Sequence, residues 1–116
     1  MPTLVGSRVI AILGADPDTM VLRMLGEGVY VGDEPPTSAT GWLAATLIAH
    51  GRPNPKIVLD NGDTVWGCEC WWGDVEGGRR TIEDYRSRGW TITEVRIEDA
   101  RNEYRKAQGQ TTGVPA

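Results

Sequence analysis

Phenylalanine is missing from this sequence, histidine occurs once and cysteine twice, and each shortage closes off a class of chemistry. Without Phe, five tryptophans and three tyrosines must supply the bulky core fillers. The lone histidine, His50, ends a helical pattern, where an imidazolium suits the dipole, and one imidazole builds neither a zinc shell nor, by itself, a nucleophile pair. Cys68 and Cys70 stand two apart in a strand-like run, which separates their Cβ atoms by about 6 to 7 Å, beyond the roughly 3.5 to 4.5 Å of a disulfide. They are expected to be reduced, buried core thiols, with no metal and no cofactor.

Long hydrophobic runs are also lacking. Nothing approaches the roughly 18 apolar residues that span a bilayer, and the opening MPTLVGSRVIAIL has neither the charged start nor the small-residue cleavage site of a secretory signal. The expectation is a cytoplasmic chain with no membrane partner. A formal charge of −4 argues against a main task of gripping nucleic-acid phosphates. Carboxylates nonetheless concentrate before residue 77, while Arg79, Arg80, Arg86, Arg88, Arg96, Arg101, Arg105 and Lys106 crowd the last third. That asymmetry could serve an anionic ligand, but the expectation is a set of solvated helix faces with paired carboxylates nearby.

With 116 residues the chain has room for one core. A single α+β domain is expected over residues 1–108, a mostly antiparallel sheet with two or three helices packed on it, and a disordered tail over 109–116. RVIAIL (Arg8 to Leu13) and TMVLRML (Thr19 to Leu25) read as a hairpin across Gly14-Ala15-Asp16-Pro17-Asp18. Gly26-Glu27-Gly28 then punctuates the chain before a short strand at Val29 to Val31, and Pro35-Pro36 ends it. Ala39, Trp42, Leu43, Thr46, Leu47 and His50 recur at helical spacing behind a Thr37/Ser38 cap, with Gly51 as the stop.

Asn61-Gly62 between Lys56 to Asp60 and Thr64 to Trp72 is a strong hairpin signal. A two-residue turn pairs Ile57 with Trp66 and Val58 with Val65, and puts Ile57, Leu59, Trp66, Cys68, Cys70 and Trp72 on the core face. RRTIEDYRSR predicts a short helix opened by Arg79 and Arg80. Trp90 to Ile97 predicts a strand that slips near Glu94, and Glu98 to Ala107 a final helix with Ala100, Tyr104 and Ala107 on one stripe.

Three carboxylate pairs, Asp16 with Asp18, Asp33 with Glu34 and Asp60 with Asp63, fall in turns, where backbone hydrogen bonding accounts for them. Gly26-Glu27-Gly28 precedes a strand and lacks a following lysine, so it is no phosphate loop. The most site-like combination is Trp71 and Trp72 at a strand end, a glycine-rich loop, and Arg79 with Arg80 at a helix start. A ring can stack on the tryptophan while guanidiniums and helix N–H groups take a phosphate. Trp71, Trp72, Arg79 and Arg80 are therefore the expected ligand-binding residues, and no catalytic residue is assigned. The competing reading makes the tryptophans core and the glycines a plain loop.

LGEGVYVGDEPP (Leu25 to Pro36), PNPKIVLDNGDTVWGCECWWG (Pro53 to Gly73) and RSRGWTITEVRIEDAR (Arg86 to Arg101) resemble a family of small uncharacterised proteins encoded by phages that infect actinobacteria. The likeness runs over roughly residues 20 to 105 around the GCECWWG core. It implies a phage accessory protein in the host cytoplasm and transfers no catalytic residue. Such a protein is expected to counter host defence without catalysis, by sequestering a small anionic nucleotide-type signalling molecule, in a homo-oligomer that encloses the ligand between subunits. Direct binding of a host defence protein is the alternative. A small metal-assisted nucleotide hydrolase and a virion component are further readings.

Overall fold

The computed structural model describes residues 4–107, so the tail expected over 109–116 lies outside the described residues. The chain forms an α+β domain around one antiparallel sheet with a single parallel pairing. Its elements run β1 (Arg8–Asp16), β2 (Val21–Glu34), α1 (Trp42–Ala49), β3 (Asn54–Leu59), β4 (Thr64–Trp66), β5 (Trp71–Asp74), α2 (Val75–Ser87), β6 (Thr91–Glu94) and α3 (Ile97–Ala107). Strands neighbour one another in the order β4-β3-β2-β1-β5, and β6 pairs in parallel with the first part of β2.

The β1–β2 hairpin forms, but its turn falls later than predicted: Gly14 to Asp16 continue β1, Asp16 pairs with Val21, and residues 17–20 make the turn. Its tip is tightened by the Asp16 carboxylate, which accepts from the Asp18 N–H at 2.9 Å. Gly26 and Gly28 do not interrupt the second strand, and Val21–Glu34 is continuous. Gly28 is there because any Cβ would run into the Val58 carbonyl and the Leu59 backbone of β3, so close strand approach, not a break, is what this glycine permits.

The Asn61-Gly62 hairpin also forms, shifted by one residue. The Leu59 N–H donates to the Asp63 carbonyl at 2.8 Å, which leaves Asp60-Asn61-Gly62 as a three-residue loop with Gly62 at φ 92°. Ile57 therefore pairs with Val65, not Trp66, and both are fully buried.

The expected long strand through Trp72 is broken. After Trp66 the chain makes one 3-10 turn (Gly67–Glu69) and crosses the sheet, and β5 pairs with β1. Two side-chain bonds hold the departure, one from β3 and one local: Asn54 Oδ1 accepts from the Cys68 N–H at 2.7 Å, and Glu69 Oε1 accepts from the Trp66 N–H at 3.2 Å.

Alternation along β1 divides the core between the two faces of the sheet. Val9 and Ala11 pack with Leu25, Ile57, Leu59 and Val65 under Ile97 of α3. Ile10 and Ile12 pack with Leu22 under Ile82 of α2. α1 begins later than predicted, at Trp42, with Gly41 as its N-cap and no capping side chain. Ser38, the predicted cap, instead accepts from Trp66 Nε1 at 2.7 Å. Only Ala44 of α1 is buried, and Trp42 is 74% exposed.

Candidate functional site

α2 starts at Val75, earlier than predicted, because Asp74 caps it by accepting from the Gly77 N–H at 3.0 Å. Gly77 and Gly78 are thus helical residues and no flexible loop. Gly78 faces Ile10, whose Cγ2 occupies the space a Cβ would need, so the glycine lets α2 lie directly on the sheet. As a consequence Arg79 and Arg80 sit past the first turn, away from the unpaired N–H groups with which the sequence reading combined them.

Arg79 is engaged with another partner. Its Nη2 donates to both Glu27 oxygens at 2.9 and 3.0 Å and its Nε to Oε2 at 3.1 Å. Arg8 joins the same network by donating to Glu27 Oε1 at 3.5 Å, and it also donates to both Asp60 oxygens at 2.7 and 2.6 Å. Hydrogen bonding to Arg8 holds the Asp60 carboxyl below its ordinary range. Arg80 is exposed on the solvent side of the helix.

The two tryptophans part company as alternate strand residues must. Trp72 turns into the α3 face and stacks on Tyr30, with ring centroids 5.2 Å apart at 23°. Trp71 turns to the α2 face, where it is 50% exposed. Its ring lies beside Gly73, whose missing side chain leaves that space open.

Trp71 walls a groove of about 260 Å³ that Ile12, Leu22, Thr81 and Tyr85 complete, with Gly14 and Ala15 along its floor. Tyr85 carries two further contacts: Trp90 meets it edge-on at 4.9 Å, and the Arg88 guanidinium lies 4.6 Å from its ring centre. Arg88 also donates to Asp84 at 2.8 Å. The groove is thus mostly apolar, with an aromatic wall, and a guanidinium stacks on one of its lining rings. Of the four expected residues the structure places Trp71 in the groove and Arg80 and Arg79 on the helix that borders it, with Trp72 in the core. Sequence reading missed Tyr85 and Arg88 as site residues. Their three-residue spacing on a predicted helix was the available signal.

A second cavity, about 220 Å³, opens on the opposite face between Thr40, Cys68, Glu69, Arg101 and Tyr104. Arg101 was expected among the solvated arginines and is instead 5% exposed. Its Nε and Nη2 donate to the two Glu69 oxygens at 2.9 and 2.8 Å, Nη1 to Glu98 at 2.8 Å, and Nη2 also to the Thr64 carbonyl at 3.1 Å. Burial works against the charge, and the bonds to Glu69 and Glu98 outweigh it, so the guanidinium stays protonated with a raised pKa. Thirty-two positions separate Arg101 from Glu69, and no local pattern announces the pair.

Both cysteines are free thiols, only partly covered. Burial pushes the Cys70 thiol up to about 12 and also raises Cys68, which leaves neither as a ready nucleophile.

The paired carboxylates are engaged in structure. Tyr30 donates to Asp33 at 2.5 Å, Lys56 to Glu34 at 3.4 Å, and Arg96 to both Asp63 oxygens at 2.7 Å. Among the described residues, no group of three or more His, Cys, Asp or Glu could hold a metal ion, and no helix is long and apolar enough to cross a membrane. No family model, no curated protein and no solved structure matches this chain.

Proposed function

We propose that this chain is a non-enzymatic phage accessory protein that counters host defence by binding and withholding a small, anionic, nucleotide-type molecule. The observation that carries this reading is Trp71, a half-exposed indole on the wall of an apolar groove, with a second ring, Tyr85, and the Arg88 guanidinium beside it. A planar base stacks on the indole, and stacking of this kind contributes about 1 to 3 kcal/mol. Arg80 and Arg88 supply the anion contacts, while Arg79 serves only if it exchanges Glu27 for the ligand. At about 260 Å³ the groove falls just under the roughly 300 to 1,000 Å³ of ordinary ligand sites, so a second copy is expected to close over the ligand.

The experiment is to incubate the protein with a panel of cyclic and ADP-ribose-type nucleotides, measure depletion from solution, then heat-denature the protein and assay what returns. Depletion with intact return supports sequestration. Altered return identifies an enzyme, and no depletion removes the small-ligand reading.

Direct capture of a host defence protein is the second reading. It is favoured by the position of the groove, which runs along an uncovered stretch of β1, and by the exposed apolar residues Trp42, Leu43 and Ile48 of α1.

A further inference from the structure

β5 covers β1 only from Val9 to Ile12. From Gly14 to Asp16, β1 has β2 on one side and, among the described residues, no strand on the other, while Leu13, just before, is a bulged residue without a partner on β2. Cys70, which would continue β5 alongside Leu13, belongs instead to the crossing that follows the 3-10 turn. A rim of unpaired N–H and C=O groups is a template for another strand.

What distinguishes this rim is that a cavity opens beside it on each face of the sheet, and Leu13 lines both. On the α2 face lies the apolar groove of Ile12, Leu22, Trp71 and Tyr85. On the α3 face lies the cavity of Thr40, Cys68 and Tyr104, whose lining is part polar and part apolar. A strand added at this edge sends successive side chains to opposite faces, so each cavity would receive every second residue of the newcomer.

Charge selects the newcomer further. Asp16 and Asp18 are exposed at the end of the rim, and Arg101, the cation of the α3-side cavity, is already neutralised by Glu69 and Glu98. Arg23, which lies opposite Gly14 on β2, is likewise paired with Glu103.

We infer that the Leu13–Asp16 edge of β1 is a docking site for an extended, basic segment of a partner protein, added as a strand. An aliphatic or aromatic side chain seats beside Trp71, a short hydroxyl-bearing one reaches the Thr40 and Tyr104 side, and a lysine or arginine meets Asp16 and Asp18. This inference rests on the second reading above, direct capture of a protein.

The probes are short synthetic peptides that alternate lysine or threonine with valine, leucine or phenylalanine. Each has a counterpart with glutamate for lysine and another with N-methylated backbone amides. Binding is read by fluorescence anisotropy and located by amide hydrogen exchange. The expected result is that the lysine peptides bind and slow exchange at Leu13 to Asp16, and that both counterparts bind at least about tenfold more weakly. Gly14 has open space where a side chain would go, so Gly14→Lys should keep the melting temperature and weaken binding by about tenfold or more.

Equal binding by the N-methylated peptides, or by Gly14→Lys, overturns the inference. Protection at Trp42 to Ala49 instead moves protein capture to α1 and also overturns it. Protection of the β1 edge that rises with protein concentration, without peptide, assigns the edge to a second copy and overturns it as well. Nucleotide depletion with no peptide binding removes protein capture altogether and leaves the first reading standing.

Discussion

Replacing Arg101 with leucine is expected to destabilise the protein by about 3 to 5 kcal/mol, the cost of stripping one partner from a buried ion pair. The Glu69 side chain is only 6% exposed, and it would lose both guanidinium donors and keep the Trp66 N–H alone. The Thr64 carbonyl would lose its Arg101 donor too. For a domain of this size each kcal/mol shifts the melting temperature by roughly 4 °C or more, so a fall of about 12 °C or beyond is expected.

Glu69→Leu should cost a similar amount, since it leaves the buried guanidinium with Glu98, an exposed carboxylate, as its one remaining anion. Arg101→Leu combined with Glu69→Leu removes both charges, and should be more stable than either single variant, with a coupling energy of about 2 kcal/mol or more. Urea unfolding followed by tryptophan fluorescence measures all four corners of this cycle. Because the pair is buried, the coupling should change little between low and high salt. Single-variant costs below about 1 kcal/mol, or a double variant that costs the sum of the singles, would refute the reasoning.

Gly78→Ala should destabilise by about 1 to 3 kcal/mol, because the new methyl meets Ile10 where α2 rests on the sheet, and an unchanged urea midpoint would contradict that packing. Trp72→Ala should cost about 3 kcal/mol through loss of the Tyr30 stack, whereas Trp71→Ala should leave the melting temperature nearly unchanged while abolishing groove binding. Equal stability losses for the two would show that the tryptophans are not divided between core and groove. Acidification should weaken the fold through Asp63, whose carboxyl Arg96 holds below its usual range by hydrogen bonding. The unfolded chain takes up that proton first, so the contribution is complete above about pH 4 and is lost as pH falls through the depressed value. Asp63→Asn should flatten the stability profile in that window, and a profile identical to the parent's would exclude this pair as a source of acid sensitivity. Cys70, with its thiol near 12, should be alkylated much more slowly at pH 8 than a free thiol, and fast modification in the folded state would show that the site is open.

The local chemistry of turns was legible from the residues alone. Pro17-Asp18 falls in the turn of the first hairpin and Asn61-Gly62 in the loop of the second, because backbone conformations of that kind depend on the residues that adopt them, although the first turn runs to residue 20 and leaves Gly14 to Asp16 in the strand. α3 and the strand at Thr91 to Glu94 likewise follow from short-range pattern. Opposite placement of Trp71 and Trp72 was legible as well, since adjacent strand residues face opposite sides.

Decisions that depend on remote atoms were not legible. Gly28 and Gly78 read as loop glycines until Val58 and Ile10 are brought against them, and then they are the points of closest approach. A third loop residue, set by the Leu59 to Asp63 bond, moved the second hairpin by one register and exchanged Trp66 for Val65 opposite Ile57. Arg79 and Arg101 look alike in sequence, and only the fold gives one to Glu27 at the surface and the other to Glu69 in the interior. A side chain's partner is chosen by three-dimensional proximity, and for these long-range pairs that proximity exists only once the sheet has assembled.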